Sequence, residues 1–186
     1  MAKLIYVSNV SLDGYIEDEH GSFDWTAPDD ELFAFITDLV RPVGTYLYGR
    51  RMYDTMAPWE TDPALAAQSE LMADFANVWR TANKVVYSTT LDAPSTANTR
   101  LERKFDPASV REMKALATRD LTIGGPNLTA HALKAGLVDE CHLFIRPVVV
   151  GRGKPALPSD TRADLELLDD RRLSNGVMYL RYRIPV

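Results

Sequence analysis

The sequence predicts a single three-layer α/β/α domain over residues 1–186, built on a mixed, mostly parallel sheet that ends in an antiparallel hairpin. Three observations predict it. Over the first two-thirds of the chain, short runs of Leu, Ile, Val and Tyr alternate with stretches whose apolar residues recur at helical spacing, the pattern of parallel strands joined by helices. The segment RDLTIGGPNLTAHALKAGLVDE, residues 119–140, passes from a β-like run through Gly124 and Gly125 into a helix opened by Pro126. Near the C-terminus, Asn175-Gly176 separates two strand-like runs, the strongest short hairpin signal in the chain.

Taken in order, residues 3–10 read as a strand buried on both faces, broken by Asp13-Gly14 and followed by a loop to Trp25. Pro28, Asp29, Asp30 and Glu31 form the acidic first turn of a helix whose Leu32, Phe35, Ile36 and Leu39 share a face and which stops before Pro42. Residues 45–48 are a second strand, ending at Gly49. After a proline-bearing loop around Trp59, residues 64–80 form an amphipathic helix with Leu71, Met72, Phe75, Val78 and Trp79 on one face. Residues 84–87 are a third strand, 107–118 a helix, 121–123 a strand, and the helix from Pro126 ends at Gly136. Residues 139–150 form a long strand whose Pro147 requires an edge position or a bulge. The hairpin joins residues 165–172 to 177–184, and Gly151 and Gly153 read as a plain turn.

Composition narrows the function. A hydrophobic fraction of 46% and a charged fraction of 25% are those of an ordinary soluble globular domain. A net charge of -5 without any Lys/Arg run argues against nucleic-acid binding. One cysteine, Cys141, cannot form an internal disulfide, and His20, His131 and His142 lack metal-ligand spacing, so no metal is expected. The N-terminal apolar run is too short for a signal peptide or a membrane span, which makes the cytoplasm the expected location.

Ligands of parallel sheets bind beyond the carboxyl ends of the strands. Four such ends carry suggestive residues: Ser11 to Gly14, Gly49-Arg50-Arg51, Ser88-Thr89-Thr90 and Gly124-Gly125-Pro126-Asn127. A glycine turn at a helix N-terminus is either an ordinary tight turn or a phosphate site, and two arginines with hydroxyls nearby suit a ligand with several phosphates. Neither a Walker lysine pattern nor GxGxxG is present.

SLDGYIED, YGRRMYD, VVYSTT and IGGPNLTAHALKAGLVDECHLFIRPVVVGRG, in that order, resemble the dihydrofolate reductase-like superfamily, most closely the reductase domain of riboflavin-biosynthesis enzymes and its small stand-alone relatives. The resemblance covers nearly the whole chain. It implies NADPH, with NADH possible, as the cofactor of a reductase. Gly49, Arg50 and Arg51 match the turn at the cofactor phosphates, and Tyr87, Ser88 and Thr89 the strand end beside the adenosine ribose. Gly124 and Gly125, with Pro126 and Asn127 following, match the glycine pair under the pyrophosphate and nicotinamide, which dihydrofolate reductases join by a cis peptide. Asn127 stands where those enzymes often carry a phosphate-binding arginine.

On the substrate side the resemblance implies one carboxylate at the start of the first helix. Counting on from Trp25 and Pro28 gives Asp30, whereas counting back from Leu32 and Phe35 gives Glu31, about a hundred degrees away around the helix. Phe35, one turn further along its face, tips the choice towards Glu31, unless the acidic residues serve only the helix dipole. Asp13 matches a position bordering the substrate, or is a simple Asp-Gly turn, and Trp25 and Phe35 either stack on a heterocycle or are core. Glu140 and His142, on one strand face, read as structural. The expected activity is hydride transfer to a pterin or folate, a ribosylaminopyrimidine, or another small carbonyl or imine compound, by a chain without the accompanying deaminase domain. A non-catalytic nucleotide-binding protein and a flavin or deazaflavin enzyme are the alternatives. A homodimer is expected from the resemblance alone.

Overall fold

The computed structural model describes residues 1–185. The chain runs β1 (Leu4–Ser11), β2 (Tyr15–Asp18), α1 (Asp30–Val40), β3 (Thr45–Gly49) and α2 (Arg50–Met56). It continues through α3 (Pro58–Thr61), α4 (Pro63–Ala66), α5 (Glu70–Thr81), β4 (Asn83–Tyr87), β5 (Thr99–Glu102) and α6 (Pro107–Leu116). Then follow β6 (Leu121–Gly124), α7 (Pro126–Lys134), β7 (Glu140–Arg146), β8 (Gly153–Pro155), β9 (Glu166–Arg172) and β10 (Met178–Arg183). Eight strands form one sheet in the order β5-β4-β3-β6-β1-β7-β10-β9, while β2 and β8 pair separately. Every pairing from β5 to β7 is parallel, and β10 is antiparallel to both of its neighbours.

Strand order dictates the layers. The chain steps from β1 to β3 to β4 in one direction, then returns to β6 and on to β7 in the other. Right-handed crossovers therefore put α1 to α5 on one face and α6 and α7 on the opposite face. The core follows this division. Leu4, Tyr6 and Ile123 pack with Val110 of α6 and Leu128 and Ala132 of α7. On the other face Tyr46, Tyr48 and Val86 meet Phe75 and Trp79 of α5, and Phe144 and Tyr179 meet Leu32 of α1. No helix among the described residues is long and apolar enough to cross a membrane.

Several elements differ from the sequence expectation. The helix expected over residues 64–80 is broken, because the Ser69 side chain accepts from Met72 N–H and starts α5 afresh, while Asp62 caps α4. Pro147 needs neither an edge nor a bulge. It falls just past the end of β7, an interior strand between β1 and β10, so no ladder bond is lost. The irregularity sits instead between Arg181 and Tyr182, where β10 meets β9. Gly153 is not part of a plain turn, since it pairs with Asp18 in the β2–β8 ribbon. A Cβ at Gly153 would lie 1.9 Å from the Glu17 carbonyl oxygen, so only glycine fits there. The ribbon crosses the carboxyl end of β1, and the Tyr6 hydroxyl donates to Ala156 O at 2.9 Å beneath it.

Candidate active site

The carboxyl ends of β1, β3, β4, β6 and β7 open on one edge of the sheet, and the sheet's direction of winding reverses around β6. Gly124 ends β6 under the Tyr48 ring and Met52. A Cβ there would meet them at 3.2 and 3.1 Å, tighter than ordinary packing. Gly125 takes φ 95°, ψ 124°, a conformation other residues avoid, and turns the chain into α7. Pro126 occupies the first turn of α7, and no side chain caps it. Its first N–H groups lack intrahelical acceptors, which is the arrangement that receives an anion. Among the described residues no peptide is cis, so the Gly124-Gly125 bond is trans, unlike its expected counterpart in dihydrofolate reductases. Asn127 is exposed beside this turn.

Across the crevice, Gly49 leads directly into α2. Both arginines that follow are already engaged. Arg50 Nε donates to Asp54 at 2.7 Å, and the Arg51 guanidinium makes a two-point pair with Glu17 of β2 at 3.2 and 3.0 Å. Tyr87 packs edge-on to Phe105 with 5.4 Å between ring centres, and burial pushes its phenol up to about 12. Ser88 is buried, and its Oγ accepts from the Thr90 and Leu91 N–H groups, while Thr89 is exposed. Arg103 Nη1 donates to Ser88 O and Leu91 O, at 3.3 and 2.6 Å, fixing this loop.

A second hollow of about 290 Å³ opens at the carboxyl end of β7, lined by Trp25, Ala27, Asp29, Arg146, Pro147, Val148, Asn175 and Val177. Its carboxylate is Asp29; Asp30 and Glu31, the two carboxylates singled out from the sequence, do not line it. Asp29 is the N-cap of α1 and accepts from Leu32 N–H at 2.9 Å. Glu31 points to the hairpin turn, where it accepts from the Ser174 N–H and hydroxyl. Asp30 is exposed in the first turn. Phe35 is half-buried, edge-on to Tyr179 at 4.9 Å and to Phe144 at 5.8 Å, packs against the buried cluster under α1 and does not line the hollow. Trp25 does line the hollow. Asp13 is a turn anchor: its carboxylate accepts from the Val150 and Gly151 N–H groups at 3.2 and 2.7 Å. Desolvation alone would raise its pKa, but the Ser11 side chain and these two N–H groups outweigh it and hold it below the usual range.

Arg146 escaped the sequence reading, although a lone arginine ahead of a proline in the apolar run CHLFIRPVVV was a usable signal. It is 6% exposed, and its Nη2 donates to Trp25 O at 3.1 Å and Ala27 O at 2.7 Å, tying the loop over the sheet edge. Burial lowers its pKa, and the negative charge of Asp29 opposes that shift.

With this geometry in view, comparison with known proteins is informative. The family model of the RibD C-terminal domain matches residues 2–179. The chain belongs to the RibD C-terminal domain family. It is similar to the uncharacterized protein YyaP of Bacillus subtilis (strain 168), 30% identical over 178 residues that cover 93% of this chain and 90% of the relative. A putative riboflavin biosynthesis protein from Shewanella sp. PV-4 shares the fold over the full length of both chains, with a TM-score of 0.77 at 20% identity. A pyrimidine reductase-like protein from Corynebacterium diphtheriae does so with a TM-score of 0.67 at 13% identity, covering 100% of this chain and 92% of that one. In the Thermotoga maritima deaminase/reductase the match is 14% identical with a TM-score of 0.67, covering 99% of this chain and 57% of the other. The RibD C-terminal reductase fold, which is dihydrofolate reductase-like, is thereby established for this chain.

Proposed function

We propose that this protein is a nicotinamide-dependent reductase that delivers a hydride from NADPH, or NADH, to an electrophilic C=N or C=O carbon of a small flat heterocycle of pyrimidine or pterin type. The observation that carries the proposal is the Gly124-Gly125 turn, which brings bare backbone and the uncapped start of α7 to the point where the sheet reverses its winding. Such a turn fits a pyrophosphate, because no side chain blocks close approach and backbone N–H groups face the anion. The family match raises the reading from nucleotide binding to reduction.

The cofactor, when bound, supplies the hydride, and this chain's residues supply position and electrostatics. Gly124 and Gly125 would floor the pyrophosphate, while Arg50 and Arg51, released from Asp54 and Glu17, would turn their charge to its phosphates. Tyr87, Ser88 and Thr89 would border the adenosine ribose. Loop residues Trp25 to Ala27, clamped by Arg146, would border the bound heterocycle at the rim of the hollow. Asp29, the carboxylate there, would accept an N–H of the heterocycle and assist proton delivery.

Calorimetric titration with NADPH and NADH tests the reading. Micromolar binding that weakens in Arg50→Ala or Arg51→Ala is expected, and no binding of either nucleotide would sink it. A cytoplasmic homodimer belongs to the same proposal. Light scattering that returned a monomer mass would remove the dimer and leave the reductase reading intact.

A further inference from the structure

Leu4, Tyr6 and Val10 of β1 join the core under α6 and α7, so Ile5, Val7, Asn9 and Ser11 alternate onto the α1 face. Asn9 stands in register with Phe144 of β7, which belongs with Val7 to the cluster under α1. On the other side of β1, the pairing of Tyr6 with Ile123 sets Val7 opposite Gly124, the last residue of β6. Asn9 therefore lies one same-face step beyond the end of β6, with no strand neighbour there. A further step on, Ser11 is in register with Arg146, which lines the 290 Å³ hollow. Asn9 thus sits on the floor between the Gly124-Gly125 turn and that hollow. Its side chain is half-buried, and Oδ1 is buried without a hydrogen-bond partner. Nδ2 donates to no acceptor among the described residues and keeps accessible surface. Outside the strand ladder, residue 9 is reached by the Ser8 hydroxyl, which donates to its backbone carbonyl at 3.1 Å. An amide that gives the fold no hydrogen bond costs stability that an apolar side chain of the same shape would not.

We infer that Asn9 is a specificity-determining residue of the crevice, whose side-chain amide pairs with a cyclic amide edge, –C(=O)–NH–, of the bound heterocycle. The inference rests on the reductase reading and deepens it by naming the side chain that reads the ring. A carboxamide presents an acceptor and donors in one plane, the complement of such an edge, and a half-turn about its terminal bond exchanges their order. A carboxylate in its place would repel the ring carbonyl, and a hydroxyl would make one bond of the two. The nicotinamide carboxamide carries the same chemistry and is the rival occupant. The substrate ring is favoured because Asn9 shares its rung with β7, whose end forms the hollow, whereas the glycine turn lies across the end of β6.

The test follows the side-chain NH₂ resonances of Asn9 in the ¹⁵N-labelled native chain, assigned by their loss in Asn9→Asp. Separate titrations use uracil, dimethyluracil methylated at both ring nitrogens, and nicotinamide. Uracil should shift the Asn9 resonances saturably, and dimethyluracil, which has lost its ring N–H groups, should not. Asn9→Leu should bind uracil about tenfold or more weakly, as the loss of two neutral hydrogen bonds implies. Its thermal midpoint should equal that of the native chain or exceed it, because no protein partner is lost. A midpoint that falls while uracil binding is unchanged would make Asn9 structural and overturn the inference. An equal response to the two uracils, a response to nicotinamide alone, or none to any of the three overturns it as well. If Asn9→Leu does not fold, the comparison of the two uracils on the native chain decides. Uracil pairing in a protein that binds neither NADPH nor NADH would sink the reductase reading and keep the role of Asn9; binding of either nucleotide without a uracil response would sink only that role.

Discussion

Replacing Glu140 by glutamine should destabilise the protein in a way that depends on pH. Glu140 is 3% exposed and accepts from Lys3 Nζ at 2.7 Å, from Arg181 Nε and Nη2 at 2.8 and 3.2 Å, and from His142 Nε2 at 3.0 Å. Burial alone would raise its pKa, but donation from Arg181, Lys3 and His142 outweighs it and lowers the value from 4.5 to about 2. The folded pKa lies below the unfolded one, so this stabilisation is fully present above 4.5 and disappears as pH falls towards 2. The shift corresponds to about 3 kcal/mol, on the order of the loss expected when one partner of a buried ion cluster is removed. Urea unfolding of the native chain and Glu140→Gln, from neutral pH down to pH about 3, measures it. The gap between the two proteins should be about 3 kcal/mol at neutral pH and should shrink below 4.5. His142 acts in a separate window. Burial lowers its pKa from 6.5, so the unfolded chain takes up the proton first and stability falls as pH drops through 6.5. A gap that stays constant to pH about 3 would refute the assignment of the stabilisation to an ionised Glu140.

Three further outcomes follow from the crevice. Gly125→Ala forces a side chain to adopt φ 95° and should cost about 1–3 kcal/mol by thermal unfolding while abolishing NADPH binding; a variant equal to the native chain in both would contradict the anion role of the turn. Glu17→Gln frees Arg51 and should tighten NADPH binding by calorimetry, with stability changed by less than about 1 kcal/mol because the pair is largely exposed on the Arg51 side; weaker binding would show that the pair positions the arginine instead. Gly153→Ala drives a Cβ against Glu17 O and should open the β2–β8 ribbon, seen as faster amide exchange at residues 15–18; unchanged protection would disprove the steric argument.

The sequence made the parallel half of the fold legible because β3, β4, β6 and α7 announce themselves locally, through apolar runs closed by Gly49, Ser88 and Gly124. The interruptions of the helix over residues 64–80 were less legible, since its apolar spacing survives the break at Ser69 and only the capping residue gives it away. Strands β5 and β2 carry no periodicity of their own and exist through their partners, β4 and β8. In the crevice the glycine turn was readable because its backbone demand is encoded in residue type. The carboxylate was not, because Asp29, Asp30 and Glu31 are chemically alike. Which one faces the hollow depends on where α1 starts and on Ser174, 143 residues away in the chain, capturing Glu31.

The two ends of β7 handle buried charge in opposite ways. At the amino end, where no ligand is expected, the Glu140 carboxylate is matched by two cations and an imidazole, and the His142 Nδ1 is paired with the Tyr179 hydroxyl at 3.0 Å. At the carboxyl end, the edge on which ligands of parallel sheets bind, Arg146 and Trp25 keep buried donors without acceptors. Nothing in the strand's own sequence prevents compensation there. Asp29 borders the same hollow, with Oδ1 engaged in capping α1 and outside ion-pair distance of Arg146. A single seven-residue strand thus carries one buried charge fully matched by opposite charges and another met only by neutral carbonyls.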